Sequence, residues 1–148
     1  MRKTLHRRGA DIGKSKVQIK KISSLIEGVD SFSEKLSTVG ISTLQPNKLE
    51  ILQINLGYMC NMTCEHCHVD AGPDRKEMMS HEVLESCLKT IKSTGVHTVD
   101  LTGGAPEMHP EFKWFVEKLS EMSIRVIVRS NLTILVSGKK FKKFPQFF

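Results

Sequence analysis

Three short apolar runs, separated by stretches of helical periodicity, constrain this 148-residue chain more than any other feature. Leu49 to Leu56 is rich in branched side chains and ends at Gly57, as a buried strand feeding a loop does. His97 to Leu101 runs straight into Thr102-Gly103-Gly104-Ala105-Pro106-Glu107, and Ile124 to Val128 runs into Arg129-Ser130-Asn131-Leu132-Thr133. Between the first two runs lie a Gly72-Pro73-Asp74 turn and a predicted helix. That helix is capped by Ser80, carries Val83, Leu84, Cys87, Leu88 and Ile91 on one face, and stops at Gly95. Between the second and third, Pro110 is expected at a first helical position, with Phe112, Phe115, Val116, Leu119 and Met122 as an apolar stripe. Strands alternating with helices of this length predict right-handed βαβ units and a parallel sheet, an α/β fold. Ligands of such sheets bind beyond the carboxyl ends of the strands. Three loops are therefore expected to converge there: the one after Gly57, Gly103-Gly104, and Ser130-Asn131.

The first of these loops carries Cys60, Cys64 and Cys67, a C-x3-C-x2-C spacing. Three thiolates from one short loop can hold three irons of a [4Fe–4S] cubane and leave the fourth iron open to a small molecule. A closed zinc site or a structural cluster takes four protein ligands, so a triplet points to an open metal. The rival is a zinc knuckle completed by His66 or His68. The remaining cysteine, Cys87, lies on the apolar face of the predicted helix and is expected to be a small core residue. The glycine pair has its own rationale, because glycine lets backbone approach a ligand closely and Pro106 stiffens the turn. Asp70 and Glu107 adjoin these loops, whereas His68, His81, His97 and His109 are individually uninformative. Met59, Met62, Met78 and Met79 are expected as packing around the cysteine loop.

The cysteine triplet followed by the Gly103-Gly104-Ala105-Pro106 turn resembles the radical SAM superfamily, whose "GGEP" motif holds the methionyl ammonium of S-adenosylmethionine. Here the third motif position is Ala105, the acid comes two places later at Glu107, and His66 stands where an aromatic residue usually precedes the third cysteine. Four stretches (52–61, 67–73, 103–107 and 131–133) together resemble the arsenosugar biosynthesis radical SAM proteins. The resemblance implies a [4Fe–4S] cluster on Cys60, Cys64 and Cys67. It implies S-adenosylmethionine held by Gly103 and Gly104, with Asn131 and Ser130 at its ribose, and cleavage of that cofactor to a 5′-deoxyadenosyl radical. It further implies a flavodoxin- or ferredoxin-type reductant and a small-molecule substrate, a methylated arsenical in the narrower family. Two other readings stay open: a non-catalytic zinc or iron–sulfur module, and an inactive truncated remnant of the enzyme.

Length bears on that choice. A closed (β/α)8 barrel needs roughly 250 residues, and the residues after Asn131 are too few for the six-stranded partial barrel of the resembled family. The expectation is an incomplete (β/α) partial barrel of about three parallel βα units. Residues 46–148 would form this N-terminal, truncated part of a core domain, and residues 1–45 a basic, partly helical extension. An open parallel edge and an uncovered tail bearing Phe141, Phe144, Phe147 and Phe148 are expected with it. The formal charge of +6 is largely local, with Arg2, Lys3, Arg7, Arg8, Lys14, Lys16, Lys20 and Lys21 against Asp11. This arm lacks the aromatic platforms of a single-strand nucleic-acid binder, so it is expected to be solvated, with organellar targeting as the alternative. Ile22, Leu25, Ile26, Phe32, Leu36 and Val39 are expected to pack on the barrel as short helices. No stretch approaches the roughly 20 apolar residues of a membrane span. The bunched cysteines argue against a secreted disulfide framework and for an intracellular location.

Overall fold

The computed structural model describes residues 3–136 and 139–148. Its centre is a three-stranded parallel sheet in the order β1 (Ile51–Asn55), β2 (Thr98–Thr102), β3 (Arg125–Val128). The strands stand in register, Ile51 beside Thr98 and Thr98 beside Arg125, through to Leu101 beside Val128. The intervening helices are α3 (His81–Thr94) and α4 (Phe112–Glu121). Preceding the sheet are α1 (Ser15–Leu25) and α2 (Phe32–Thr38), and following it is the short α5 (Thr133–Val136). Single 3-10 turns lie at Asp11–Gly13, Pro106–Met108, Lys139–Phe141 and Phe144–Gln146.

The strand period of two divides the sheet into unlike faces. Ile54, Val99 and Leu101 are buried and join Leu84 and Ile91 of α3 and Phe112, Phe115 and Leu119 of α4 in one core. The other face presents Gln53, Asn55, Asp100 and Thr102 together with Ile51 and Ile127, and is polar toward the carboxyl ends of β1 and β2. A half-barrel covered by helices on one side and largely polar on the other is the result. Among the described residues, β1 and β3 each pair on one side only.

Helix α3 ends as its sequence requires: Gly95 takes φ +67, left-handed, and its N–H returns to the Ile91 carbonyl. Val83, expected on the apolar face of this helix, is instead 46% exposed. The core takes Leu84 and Ile91, one helical face apart by seven residues, and Val83 sits a full 100° around from Leu84. Pro110 does not open α4 either. The helix begins at Phe112 with Glu111 as its cap, and it is Pro106 that starts a 3-10 turn.

Two expectations about the flanks are corrected. The phenylalanine tail is covered in part: Phe141 and Phe144 are buried, the Phe144 ring stacks on Phe112 with centroids 5.9 Å apart, and Phe148 remains 59% exposed. Aromatic area supplies its own cover here, with the Lys113 ammonium 4.7 Å from the Phe144 ring centre. Conversely, α1 and α2 form, α2 with a Ser31–Glu34 capping box, but they do not pack. Ile22, Leu25, Ile26, Phe32 and Val39 remain exposed, and only Leu36 is half-buried.

Phe115 is fully buried between α4 and the sheet. Phe115→Ala is expected to cost about 3–5 kcal/mol, whereas Val83→Ala should stay within about 0.5 kcal/mol. Urea denaturation of both variants checks the contrast, and an equal loss would contradict this account of the core.

Candidate functional site

All three strand-end loops meet, the first two through backbone and the third through side chains. Beyond β1, the chain continues the sheet's hydrogen bonding with Leu56 N–H on the Thr102 carbonyl at 2.9 Å. The loop after β2 then answers: Gly104 N–H donates to the Gly57 carbonyl and Ala105 N–H to the Met59 carbonyl, both at 2.9 Å. The cysteine loop closes on itself through Cys60 N–H to the Gly72 carbonyl (3.2 Å) and Gly72 N–H to the Tyr58 carbonyl (3.1 Å). Tyr58 N–H donates to the Glu77 carbonyl at 2.9 Å.

This ladder explains the glycines differently from the sequence. Gly103 has φ +146, and a Cβ there would lie 2.6 Å from the Gly57 carbonyl oxygen. A Cβ on Gly104 would collide with the Met59 carbonyl and press on Cys60 Cβ. In this structure the space that glycine opens is therefore filled by the cysteine loop. Gly57 itself, at φ +148, has the Glu77 carbonyl oxygen 2.5 Å from any added Cβ. Ala105, in the place of the motif's usual acid, is buried.

The three loop thiols are free, with Cys60 buried and Cys64 and Cys67 half-buried. Burial pushes the Cys60 thiol up, and nearby Cys64 and Cys67 add to that push. The Met62 backbone and the Asn131 amide oppose it. Cys67 Sγ accepts from Ala71 N–H at 3.3 Å. Among the described residues, no three His, Cys, Asp or Glu side chains are gathered into a ready metal-holding group, so the thiols lie on one loop without being drawn together. Cys87 stands apart on α3, packed against the core, and burial raises its thiol too.

Asn131 does come to the cysteine loop. Its Nδ2 donates to Asn61 Oδ1 at 2.9 Å and lies 3.5 Å from Cys60 Sγ, while its Oδ1 accepts from Ile134 N–H at 3.1 Å. It thus ties the third loop to the first and caps α5. Ser130 Oγ accepts from Leu132 N–H at 3.1 Å. Asn61 Nδ2 donates to Thr133 Oγ1 at 2.9 Å, completing the link.

Sequence reasoning missed a clamp made by the N-terminal arm. Asp70, itself at φ +50, accepts from Leu5 N–H (2.7 Å) and His6 N–H (2.8 Å). Thr4 is 1% exposed and donates its hydroxyl to Asp74. A Cβ on Gly72 would meet Thr4 Cγ2 at 2.5 Å, so glycine is what lets the Thr4 side chain sit this close. The start of the arm is therefore docked rather than solvated. The Asp70–Gly72–Asp74 spacing beside a turn was a signal, but nothing local identifies its distant partner. Arg75 braces the same loop, donating to the Asp70 carbonyl (2.8 Å) and to both Glu77 oxygens. Glu107, noted in the sequence for its place beside the glycine loop, is 2% exposed, and its two carboxylate oxygens find no hydrogen-bond partner among the described residues.

The Arg75 hydrogen bonds hold the Glu77 carboxyl at about 2, below its usual 4.5. A lowered carboxyl stabilises the fold above its unfolded value, and that contribution is lost as pH falls from 4.5 toward 2. Denaturation midpoints across this window should fall more steeply for the wild type than for Glu77→Gln; parallel curves would show that the brace does not hold the loop. Gly104→Ala should destabilise by about 1–3 kcal/mol through the forced clash. It should also speed amide exchange at Ala105, which loses its bond to Met59; unchanged exchange would exclude the ladder.

With this geometry in place, comparison with known proteins is informative. The Radical SAM superfamily domain matches residues 54–144. The chain is 31% identical over 80 residues to a probable GTP 3′,8-cyclase of Sulfolobus acidocaldarius, covering 54% of this chain and 26% of that protein. It is 32% identical over 85 residues to the protein of the same description from Methanothermobacter marburgensis, covering 57% and 28%. The match to the one from Sulfurisphaera tokodaii is 24% over 94 residues, covering 64% and 30%. The chain thus spans between a quarter and a third of the length of these relatives, which are described as GTP cyclases rather than as arsenosugar proteins. The matched domain takes in the cysteine loop, the glycine loop and all of β2 and β3, and by this match the chain belongs to the radical SAM superfamily.

Proposed function

We propose that this chain forms the cofactor-binding part of a radical SAM enzyme. The observation that carries the reading is a loop of free thiols hydrogen-bonded, backbone to backbone, to the glycine loop at the carboxyl ends of a parallel sheet. The donor set fits a [4Fe–4S] cluster: three thiols within eight residues, half-buried or buried, without disulfides. Cys60, Cys64 and Cys67 are the residues that would hold it. Reductive cleavage of S-adenosylmethionine to a 5′-deoxyadenosyl radical is the chemistry this pair supplies when bound. Gly103 and Gly104 offer backbone groups for the methionyl end, and Ser130 and Asn131 polar atoms for the ribose. Because Gly104 is packed against Met59, the glycines serve first to shape the cysteine loop and only through it the cofactor. A flavodoxin- or ferredoxin-type protein is the reductant in this reading, and free thiols fit a reducing, intracellular compartment.

The substrate reading follows motif likeness. The four stretches shared with arsenosugar biosynthesis proteins favour adenosyl transfer to a methylated arsenical. A second reading, a nucleotide substrate, draws on the relatives described as GTP 3′,8-cyclases.

Anaerobic reconstitution with iron and sulfide should load about four irons per chain, the cubane stoichiometry. Cys60→Ala, Cys64→Ala and Cys67→Ala should each abolish loading, and Cys87→Ala should leave it intact. Stoichiometric zinc in place of iron would overturn the proposal in favour of a zinc module.

A further inference from the structure

The polar face of the sheet holds a buried charge that neither the cysteine loop nor the glycine loop uses. Asp100 lies in the middle of β2, its side chain 6% exposed. Its oxygens accept from Arg129 Nε at 2.9 and 3.0 Å, from Arg129 Nη2 at 2.7 Å, and from Gln53 Nε2 at 2.9 Å. The carboxylate is thereby engaged from β1 on one side and from the residue that follows β3 on the other. Its partner is not buried with it: the Arg129 side chain is 61% exposed, and Nη1 has no protein partner among the described residues.

Stability alone is a poor account of this arrangement. A buried ion pair contributes little or nothing net over a well-packed apolar pair, and half of this one is in water. What the arrangement does achieve is aim. The Arg129 fork, pinned along one edge by Asp100, leaves its other edge fixed and free, the geometry that takes an oxyanion through charge-assisted hydrogen bonds.

The surroundings agree. A cavity of about 290 Å³ is lined by Gln53, Asn55, His68, Thr102 and Arg129. No carboxylate lines it, since Asp100 is beneath the surface and fully engaged. Asn55 Oδ1 already accepts from Gly57 N–H, which leaves its amide Nδ2 as the uncommitted end. An arginine edge, an amide N–H, a hydroxyl and an imidazole make a donor-rich, acid-free wall. Asn55 and Thr102 also stand at the strand ends next to the cysteine and glycine loops, so a ligand here adjoins the proposed cofactor site.

We propose that this cavity is an oxyanion site in which Arg129, aimed by Asp100, receives a carboxylate or phosphate group. Asn55, Thr102 and His68 supply further donors. The site stands on its own geometry, and it rests on the radical SAM reading only for the identity of the bearer: the carboxylate of S-adenosylmethionine, or an oxyanion of the substrate.

The test uses the full chain without metal. The arginine side-chain N–H signals are followed by NMR during separate titrations with inorganic phosphate and with acetate, at constant ionic strength set by chloride. The Arg129 signal should shift saturably with at least one of them. Arg129→Gln should abolish saturable binding. Asp100→Asn should weaken it about tenfold or more, the effect of one lost hydrogen bond to a charged group. His68→Ala, a change at an exposed side chain, should weaken it without disturbing the sheet's amide spectrum. A shift no different from that in chloride, or undiminished binding in Arg129→Gln, would overturn the proposal.

A second arm separates the two bearers in protein reconstituted with iron and sulfide. Loss of the S-adenosylmethionine effect on the reduced protein's EPR signal in Arg129→Gln assigns the site to the cofactor carboxylate. Retention of that effect alongside lost phosphate binding assigns it to the substrate. Saturable phosphate binding in a protein that takes up no iron would sink the radical SAM reading and leave the oxyanion site standing.

Discussion

The close backbone approach between the cysteine loop and the glycine loop governs everything else at this end of the molecule. Two hydrogen bonds, from Gly104 and Ala105 to the Gly57 and Met59 carbonyls, extend the β1–β2 ladder beyond the strands proper. Backbone groups withdrawn from water need partners, and here they can be paired only if no Cβ intervenes. The glycines are thus a condition for the cysteine loop having one shape at all. A thiol triplet on a free loop would sample many arrangements; one laced to the sheet is held where the third loop can reach it, through Asn131 and Asn61.

Around that ladder the loop is held from two further sides. Arg75 ties the Asp70 carbonyl to Glu77, and the N-terminal arm is pinned by Asp70 through two backbone amides. Asp70 thus serves both, with its main chain for one brace and its side chain for the other. Its left-handed φ of +50 is tolerated because these partners over-determine it. A small cavity between arm and loop is lined by Lys3, Arg8, Glu65, Cys64, Cys67 and Asp70 among others, so charges of both signs stand beside two of the thiols.

The sheet beneath divides its labour by strand parity. One face is closed by α3 and α4 around Val99, Leu101 and Phe115. The other keeps a buried aspartate beneath two amides, a threonine and an arginine that are more exposed, and no helix covers it among the described residues. Polar side chains on a sheet's concave face are costly to bury without partners. Asp100 meets that cost with Arg129 and Gln53, which also lowers its carboxyl below the usual range, chiefly through the Arg129 hydrogen bonds. In a half-barrel this face is the interior, so its chemistry is chemistry available to a ligand.

Much of this was legible in the chain alone. The apolar runs, their spacing and the caps at Ser80 and Gly95 determined strands, helices and parallel order, because period-two and period-3.6 burial are local properties. The cysteine spacing, with the glycine turn one strand and one helix later, determined the superfamily. Other features were decided only by tertiary structure. Gln53 sits in β1, Asp100 in β2 and Arg129 just beyond the end of β3, and only register brings them together. The arm's docking joins Thr4 to Asp74, and the phenylalanine tail finds its cover on Phe112. Each is a contact between residues distant in sequence, whose free energy depends on what the folded chain places opposite, and no local pattern carries that. The glycines show the division most plainly: the sequence by itself determined that backbone must be approached closely at Gly103 and Gly104, and the tertiary structure decided that the cysteine loop does the approaching.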